Sequence, residues 1–151
     1  MDKSALLELD NQLCFALYAC SREVTKLYRP FLDELGITYT QYVTLLALWE
    51  KDEVAVKELG RRLYLDSGTL TPLLKKLEGL KLLRRERDPQ DERSVIVRLT
   101  PEGRALKERA AEIPERVFCQ TSLTPEGIES LRDQLRKLTV EAHTQSCDAG
   151  L

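Results

Sequence analysis

The 151-residue chain has no apolar run near the length of about 20 residues that a membrane-spanning helix requires. Its opening stretch, MDKSALLELDNQL, lacks the charged-then-apolar pattern of a secretory signal, so a cytoplasmic protein is expected. Histidine is nearly missing, with His143 the only one, and the four cysteines, Cys14, Cys20, Cys119 and Cys147, are widely spaced without a CxxC pair. A zinc site needs clustered Cys and His ligands, so no metal is expected, and no other cofactor. In a reducing compartment the four are free thiols, either packed as small hydrophobes or reactive.

What the chain does have is charge, unevenly spread. Hydrophobic residues make up 42% and charged residues 32%, which suits one compact domain or a tightly fused pair. Segment 61–98 carries ten Lys/Arg against six acids, net +4, in a chain of net charge −2, so the remainder carries −6. That asymmetry suggests a nucleic-acid face on an acidic body. The segment reads as a polar-faced helix running into a basic two-stranded ribbon. A helix for the major groove followed by a cationic hairpin is the layout of a winged helix-turn-helix.

Leu6, Leu9, Leu13, Leu17, Val24 and Leu27 recur at helical spacing and predict a first helix over 6–29. Pro30 is expected to bend or restart it, and Gly36 to close the segment as a left-handed cap. Thr38 and Gln41 form a capping box for a helix to about Trp49, and VKELGRRL predicts a third over 56–63. Asp66 is the N-cap of a helix over Ser67–Leu80, with Pro72 tolerated inside it by a local adjustment. Strands are expected at Leu82–Asp88 and Ser94–Leu99, around the tip Pro89-Gln90-Asp91-Glu92-Arg93.

The pentapeptide LTPEG occurs at Leu99–Gly103 and again at Leu123–Gly127. Threonine as N-cap, proline at the first helical position and an early glutamate make both copies helix starts, not a duplicated domain. The helices they open are expected over about 101–119 and 124–146. The fold class is therefore mainly α with a small β wing: a winged helix-turn-helix over 37–100 and a helical dimerisation region over 1–36 and 101–151. The stripes Leu6/Leu9/Leu13/Leu17 and Ile128/Leu131/Leu135/Leu138 are hard for a lone winged domain to cover. A homodimer on a pseudo-palindromic double-stranded operator covers them by symmetry. An intramolecular three-helix pack is the alternative.

Ser67, Thr69, Thr71, Lys75 and Lys76 offer hydroxyl and ammonium groups to bases and phosphates, and the ribbon adds Arg84, Arg85, Arg87 and Arg93. At the tip, Asp91 is close enough to orient the Arg93 guanidinium for a narrow groove. Taken singly, these are also what a solvated helix face and a surface ion pair look like.

DSGTLTPLLKKLE followed by DPQDERSV resembles the recognition helix and wing of the MarR family of dimeric repressors. LDNQLCFALYACSREVTKLYRPFLDELGITYTQYVTLLALWE is similar to the first helices of that family's organic hydroperoxide resistance regulators (OhrR), and the likeness covers nearly the whole chain. The resemblance implies a cytoplasmic repressor, not an enzyme, whose inducers are organic hydroperoxides. It makes Cys14 the redox sensor and Tyr28 and Tyr39 its hydrogen-bonding partners across the dimer. Cys119 in IPERVFCQTSL would be the resolving cysteine of the two-cysteine subtype, closing an intersubunit disulfide with the oxidised sensor and so releasing DNA. The residues alone leave Cys119 open between that role and an idle thiol.

A sensor sulfur must be a thiolate, since the thiol is a poor nucleophile toward a peroxide. Cys14 falls in the early turns of the first helix, set in from its start, with Tyr18 on the same face and Leu13, Phe15 and Leu17 as an apolar approach. Cys20, about 240° around the helix from Cys14, is expected in the core. Cys147 is expected in a frayed tail. Two rivals remain. One is a MarR-type repressor that binds a small aromatic ligand, with idle cysteines. The other is a thiol peroxidase, which would leave the wing purposeless.

Overall fold

In the computed structural model, which describes residues 2–150, the chain opens with two 3-10 turns, Ala5–Leu7 and Leu9–Asn11. Only then does it enter helix α1, Leu13–Leu35. The helix therefore begins well after the expected position 6. The side chain of Asn11 donates to the Ala5 carbonyl at 2.8 Å, and that of Gln12 donates to the Leu6 carbonyl. Side-chain bonds of this kind compete with helical backbone bonds, so the leucines at 6 and 9 sit on turns instead.

Past Leu13, α1 runs unbroken through Pro30, which stays exposed and does not restart the element. Gly36 ends it at φ 71°, as expected, with its N–H on Asp33 and the Ile37 N–H on Leu32. Helix α2, Tyr39–Glu50, starts from the capping box: the Thr38 hydroxyl accepts from the Gln41 N–H, and the Gln41 side chain accepts from the Thr38 N–H. A two-residue strand follows, β1 at Val54–Ala55, which had no periodicity to announce it. Helix α3 is Val56–Leu63 and α4 is Ser67–Gly79, the latter capped by Asp66 on the Thr69 N–H at 2.8 Å.

Strands β2, Leu83–Asp88, and β3, Asp91–Leu99, form an antiparallel ribbon that β1 joins, giving the sheet order β1-β3-β2. Leu83 faces Leu99 and Arg85 faces Val97, and the register shifts at Arg87/Asp88 near the tip. Helix α5 is Pro101–Ala110, α6 is Ile113–Phe118, and α7 is Pro125–Asp148. A single helix over 101–119 was expected, but it is broken at Ala111–Glu112. Pro114 has no N–H for the Ala110 carbonyl, so the break precedes it. Both LTPEG threonines cap as expected, Thr100 on the Gly103 N–H and Thr124 on the Gly127 N–H.

The described residues fall into two compact units, one ending at Ile113 and the other beginning at Pro114. The core of the first contains Leu32, Leu45, Leu48, Leu59, Leu70, Leu74, Leu77, Leu83 and Val97, all 2% exposed or less. Helices α1, α2 and α5 pack with one another in that unit, and α4 packs on β2. Gly103 sits where a Cβ would fall 2.0 Å from the Leu82 carbonyl oxygen, so α5 can meet the wing root only through glycine. The second unit holds α7, which buries no residue. Among the described residues no helix is long and apolar enough to cross a membrane, and no group of three His, Cys, Asp or Glu could hold a metal.

Candidate DNA interface and thiol sensor site

Helix α4 separates its two kinds of side chain cleanly. Leu70, Leu74 and Leu77 are buried, while Ser67, Thr69, Lys75 and Lys76 are exposed and Thr71 is half-buried. Neither Lys75 nor Lys76 forms an ion pair among the described residues. A groove of about 450 Å³ runs between this helix, the start of α3 and the wing, lined in part by Thr71, Lys57, Asp91 and Arg93. Lys57 was missed in the sequence because it precedes the basic segment, yet the fold brings it to the same groove.

The wing arginines part company. Arg85 turns toward α4, where its backbone N–H donates to Glu78 at 2.9 Å and its guanidinium pairs with the same carboxylate at 3.2 Å. The bond from the Arg85 N–H is the main reason the Glu78 carboxyl titrates below its usual range. Arg85 thus docks the wing on α4. Alternation along β2 puts Arg84 on the opposite face, in register with Arg98, which pairs with Glu53 at 3.2 Å. Asp91 does not orient the Arg93 guanidinium as expected. Its carboxylate accepts the Arg93 backbone N–H at 3.0 Å, shaping the tip, and the Arg93 head group makes no ion pair among the described residues.

Cys14 is the second residue of α1, in the first turn and not set in from it. Unpaired backbone N–H groups in that turn favour an anion. The thiol is exposed, as are Leu13, Phe15 and Tyr18, and Arg22 lies 5.3 Å from the Tyr18 ring centroid. Cys20 is exposed too, contrary to the core position expected for it, because the first half of α1 buries no residue.

Tyr28 is buried further along α1, and its ring centroid is 5.1 Å from that of half-buried Tyr39, edge to face. Burial pushes the Tyr28 phenol up to about 12, helped by the neighbouring Tyr39 and Tyr42 oxygens. Burial also raises Tyr39. These phenols therefore stay protonated and able to donate. Fourteen residues of one helix separate Cys14 from Tyr28, about 21 Å at the helical rise. No side chain spans that gap within one chain.

Tyr42 and Trp49 continue the aromatic group, with ring centroids 6.5 Å apart, and the Trp49 indole N–H donates to the Gly103 carbonyl at 2.8 Å. Sequence reading passed over both, although Tyr42 stands three residues from Tyr39 on one helix face. In the second unit Cys119 lies just past α6, exposed, with its sulfur 3.2 Å from the Arg116 carbonyl. Cys147 is not in a frayed tail: it is helical, in α7, with its sulfur 3.7 Å from His143 Nε2.

Residues 26–110 match the family described as transcriptional regulator SarA/Rot. The chain is 48% identical over 140 residues to the organic hydroperoxide resistance transcriptional regulator of Bacillus subtilis (strain 168), covering 93% of this chain and 95% of that protein. It is similar to the solved structure of reduced AbfR bound to DNA, with 36% identity and a TM-score of 0.75, over 91% of this chain and 96% of that one. Disulfide-formed AbfR is similar at 39% identity and a TM-score of 0.62, with the same coverage. AbfR is a protein of Staphylococcus epidermidis.

Proposed function

We propose, for a chain that belongs to the MarR/SarA family of transcriptional regulators and is not an enzyme, that it is a dimeric repressor switched by organic hydroperoxides through Cys14. The observation that carries this reading is the separation along α1. An exposed cysteine sits in the first turn, and a pair of protonated phenols lies about 21 Å away, beyond its reach. A second subunit that lays its own α1 against this one closes the gap. The likeness to a regulator named for organic hydroperoxide resistance supports the same role.

The exposed apolar residues support a dimer. Leu6, Leu9, Leu13 and Phe15 in the first unit, and Leu131, Leu135, Leu138 and Val140 in the second, are 36% to 63% exposed in the single chain. Patches of this kind on a regulator mark an interface, and we assign dimerisation to residues 1–36 and 101–151. Residues 37–100 read a pseudo-palindromic operator. Ser67, Thr69, Thr71, Lys75 and Lys76 enter the major groove, and Arg93 at the tip shaped by Asp91 reaches the neighbouring groove or backbone. Lys57 adds a phosphate contact. Arg85 serves by fixing the wing through Glu78, and Arg84 lies on the far face of the ribbon.

In the switch, the Cys14 thiolate attacks the outer oxygen of the hydroperoxide. A sulfur–oxygen bond forms as the oxygen–oxygen bond breaks, and the alkoxide takes a proton and leaves as the alcohol. Cys119 of the partner subunit then attacks the sulfenic sulfur, the disulfide forms, and water departs. Closing the disulfide ties the start of one α1 to the end of the other chain's α6, which favours an arrangement with lower DNA affinity. Titrating reduced protein with cumene hydroperoxide while following operator binding tests this. Stoichiometric release supports the reading. Retention of DNA at excess peroxide refutes it, and continuous peroxide consumption with a thiol supply indicates a peroxidase.

A further inference from the structure

Tyr42 is only 2% exposed, and its ring centroid lies 5.7 Å from that of Tyr28 and 6.2 Å from that of Tyr39. The phenol hydroxyls of all three make no hydrogen bond among the described residues, nor does any of these residues hold an unnamed partner. Yet the Tyr42 oxygen is not sealed in. Among the described residues the only fully buried side-chain nitrogen or oxygen without a partner is Arg85 Nε. The Tyr42 ring is thus buried while its hydroxyl oxygen is not completely enclosed.

The three oxygens also feel one another. Ionised Tyr39 or Tyr42 would raise Tyr28, and ionised Tyr39 would raise Tyr42, so the hydroxyls share one electrostatic neighbourhood. Phenylalanine would fill the ring's place without bringing a polar atom to an apolar cluster. Trp49 packs edge-on to Tyr42 and is itself fixed by its bond to Gly103.

We propose that Tyr42 is a third hydrogen-bond donor of the sensor, acting with Tyr28 and Tyr39 on the thiolate of the partner subunit's Cys14. The proposal rests on the sensor reading given above. A third donor favours the anionic sulfur over the thiol and therefore raises its readiness to meet peroxide at neutral pH. It also accounts for a tyrosine, and not a phenylalanine, at the best-packed position of the cluster.

The test uses full-length reduced dimer in which Cys20, Cys119 and Cys147 are serine, so that only Cys14 reacts. Tyr28→Phe, Tyr39→Phe and Tyr42→Phe are each compared by the pH profile of iodoacetamide alkylation, the rate of cumene hydroperoxide oxidation, and Tm. Tyr42→Phe should move the alkylation midpoint up by roughly half a unit to one unit and slow oxidation at neutral pH about 3- to 10-fold, with Tm held. Incorporating 3-fluorotyrosine at 42, a stronger acid of nearly the same shape, should move the midpoint down. An unmoved profile for both Tyr42 replacements, beside shifted ones for Tyr28→Phe and Tyr39→Phe, overturns the proposal and leaves the sensor reading standing. Three unmoved profiles would overturn both.

Discussion

The proposed reading head and the proposed sensor face differ in how much of their chemistry one chain completes. Around α4 and the wing, the groups that set the backbone's shape are bonded from within, while the head groups of Lys75, Lys76 and Arg93 stay open: Asp66 caps the helix, Glu78 holds Arg85, and Asp91 shapes the tip. Along α1 the opposite holds. Cys14 is open, the phenols of Tyr28 and Tyr39 have no hydrogen-bond partner among the described residues, and the leading leucines are exposed. A reading head must be rigid before it meets DNA, whereas a switch must keep groups uncommitted until a second molecule supplies the other half.

The largest effect tests that contrast at its reactive end. Cys14→Ser should bind operator as the wild type does and lose all release by organic hydroperoxide, read by DNA binding before and after treatment. Release from the serine variant would move the sensor to another thiol. Cys119→Ser should come next. Peroxide-treated wild type should run as a covalent dimer on a non-reducing gel and this variant as a monomer, while sulfenic acid still forms at Cys14. Cross-linking that persists would assign resolution to Cys20 or Cys147.

On the reading head, Arg93→Ala should weaken operator binding by about 1–3 kcal/mol without changing the fold, because the head group supports no neighbour. An unchanged affinity at moderate salt would make the tip a non-contacting hairpin. A pH series sharpens the other side. Tyr28 ionises near pH 10 when unfolded but is held up to about 12 when folded. Its contribution is therefore full below pH 10 and is lost as pH rises toward 12, by up to about 3 kcal/mol. Tyr28→Phe should flatten the stability curve across that window, and an equally steep fall would place the ionising group elsewhere.

The smallest effect belongs to the wing anchor. Glu78 is held below its usual range by the Arg85 bonds, so its contribution is present at neutral pH and fades as pH falls through the lowered value. Glu78→Gln keeps one acceptor for the Arg85 N–H and should shift Tm by only a degree or two, since the pair is partly exposed. Operator affinity should fall slightly through a looser wing.

Much of this architecture is legible without coordinates wherever a local hydrogen bond decides it. The caps at Thr38, Asp66, Thr100 and Thr124 follow from side chains that reach no further than three residues. What escapes is long-range or competitive. The true start of α1 depends on Asn11 and Gln12 bonding backward, and β1 is two residues that exist only because β3 pairs with them. Whether an arginine of β2 faces solvent or Glu78 depends on which side of the ribbon α4 packs. The Cys14, Tyr28 and Tyr39 set is suggested by family likeness, while Tyr42 emerges only when ring positions are known.

The central claim is that the sensor is assembled between subunits, and a mixed dimer tests it directly. Cys14→Ser protomers are combined with protomers carrying Tyr28→Phe and Tyr39→Phe, and Cys14 oxidation in the purified heterodimer is followed with cumene hydroperoxide. In that heterodimer the one remaining Cys14 belongs to the chain without the two phenols and faces the chain that retains them. The account predicts oxidation at the wild-type rate. A rate equal to that of the Tyr28→Phe/Tyr39→Phe homodimer would contradict it, because the phenols would then act only on their own chain.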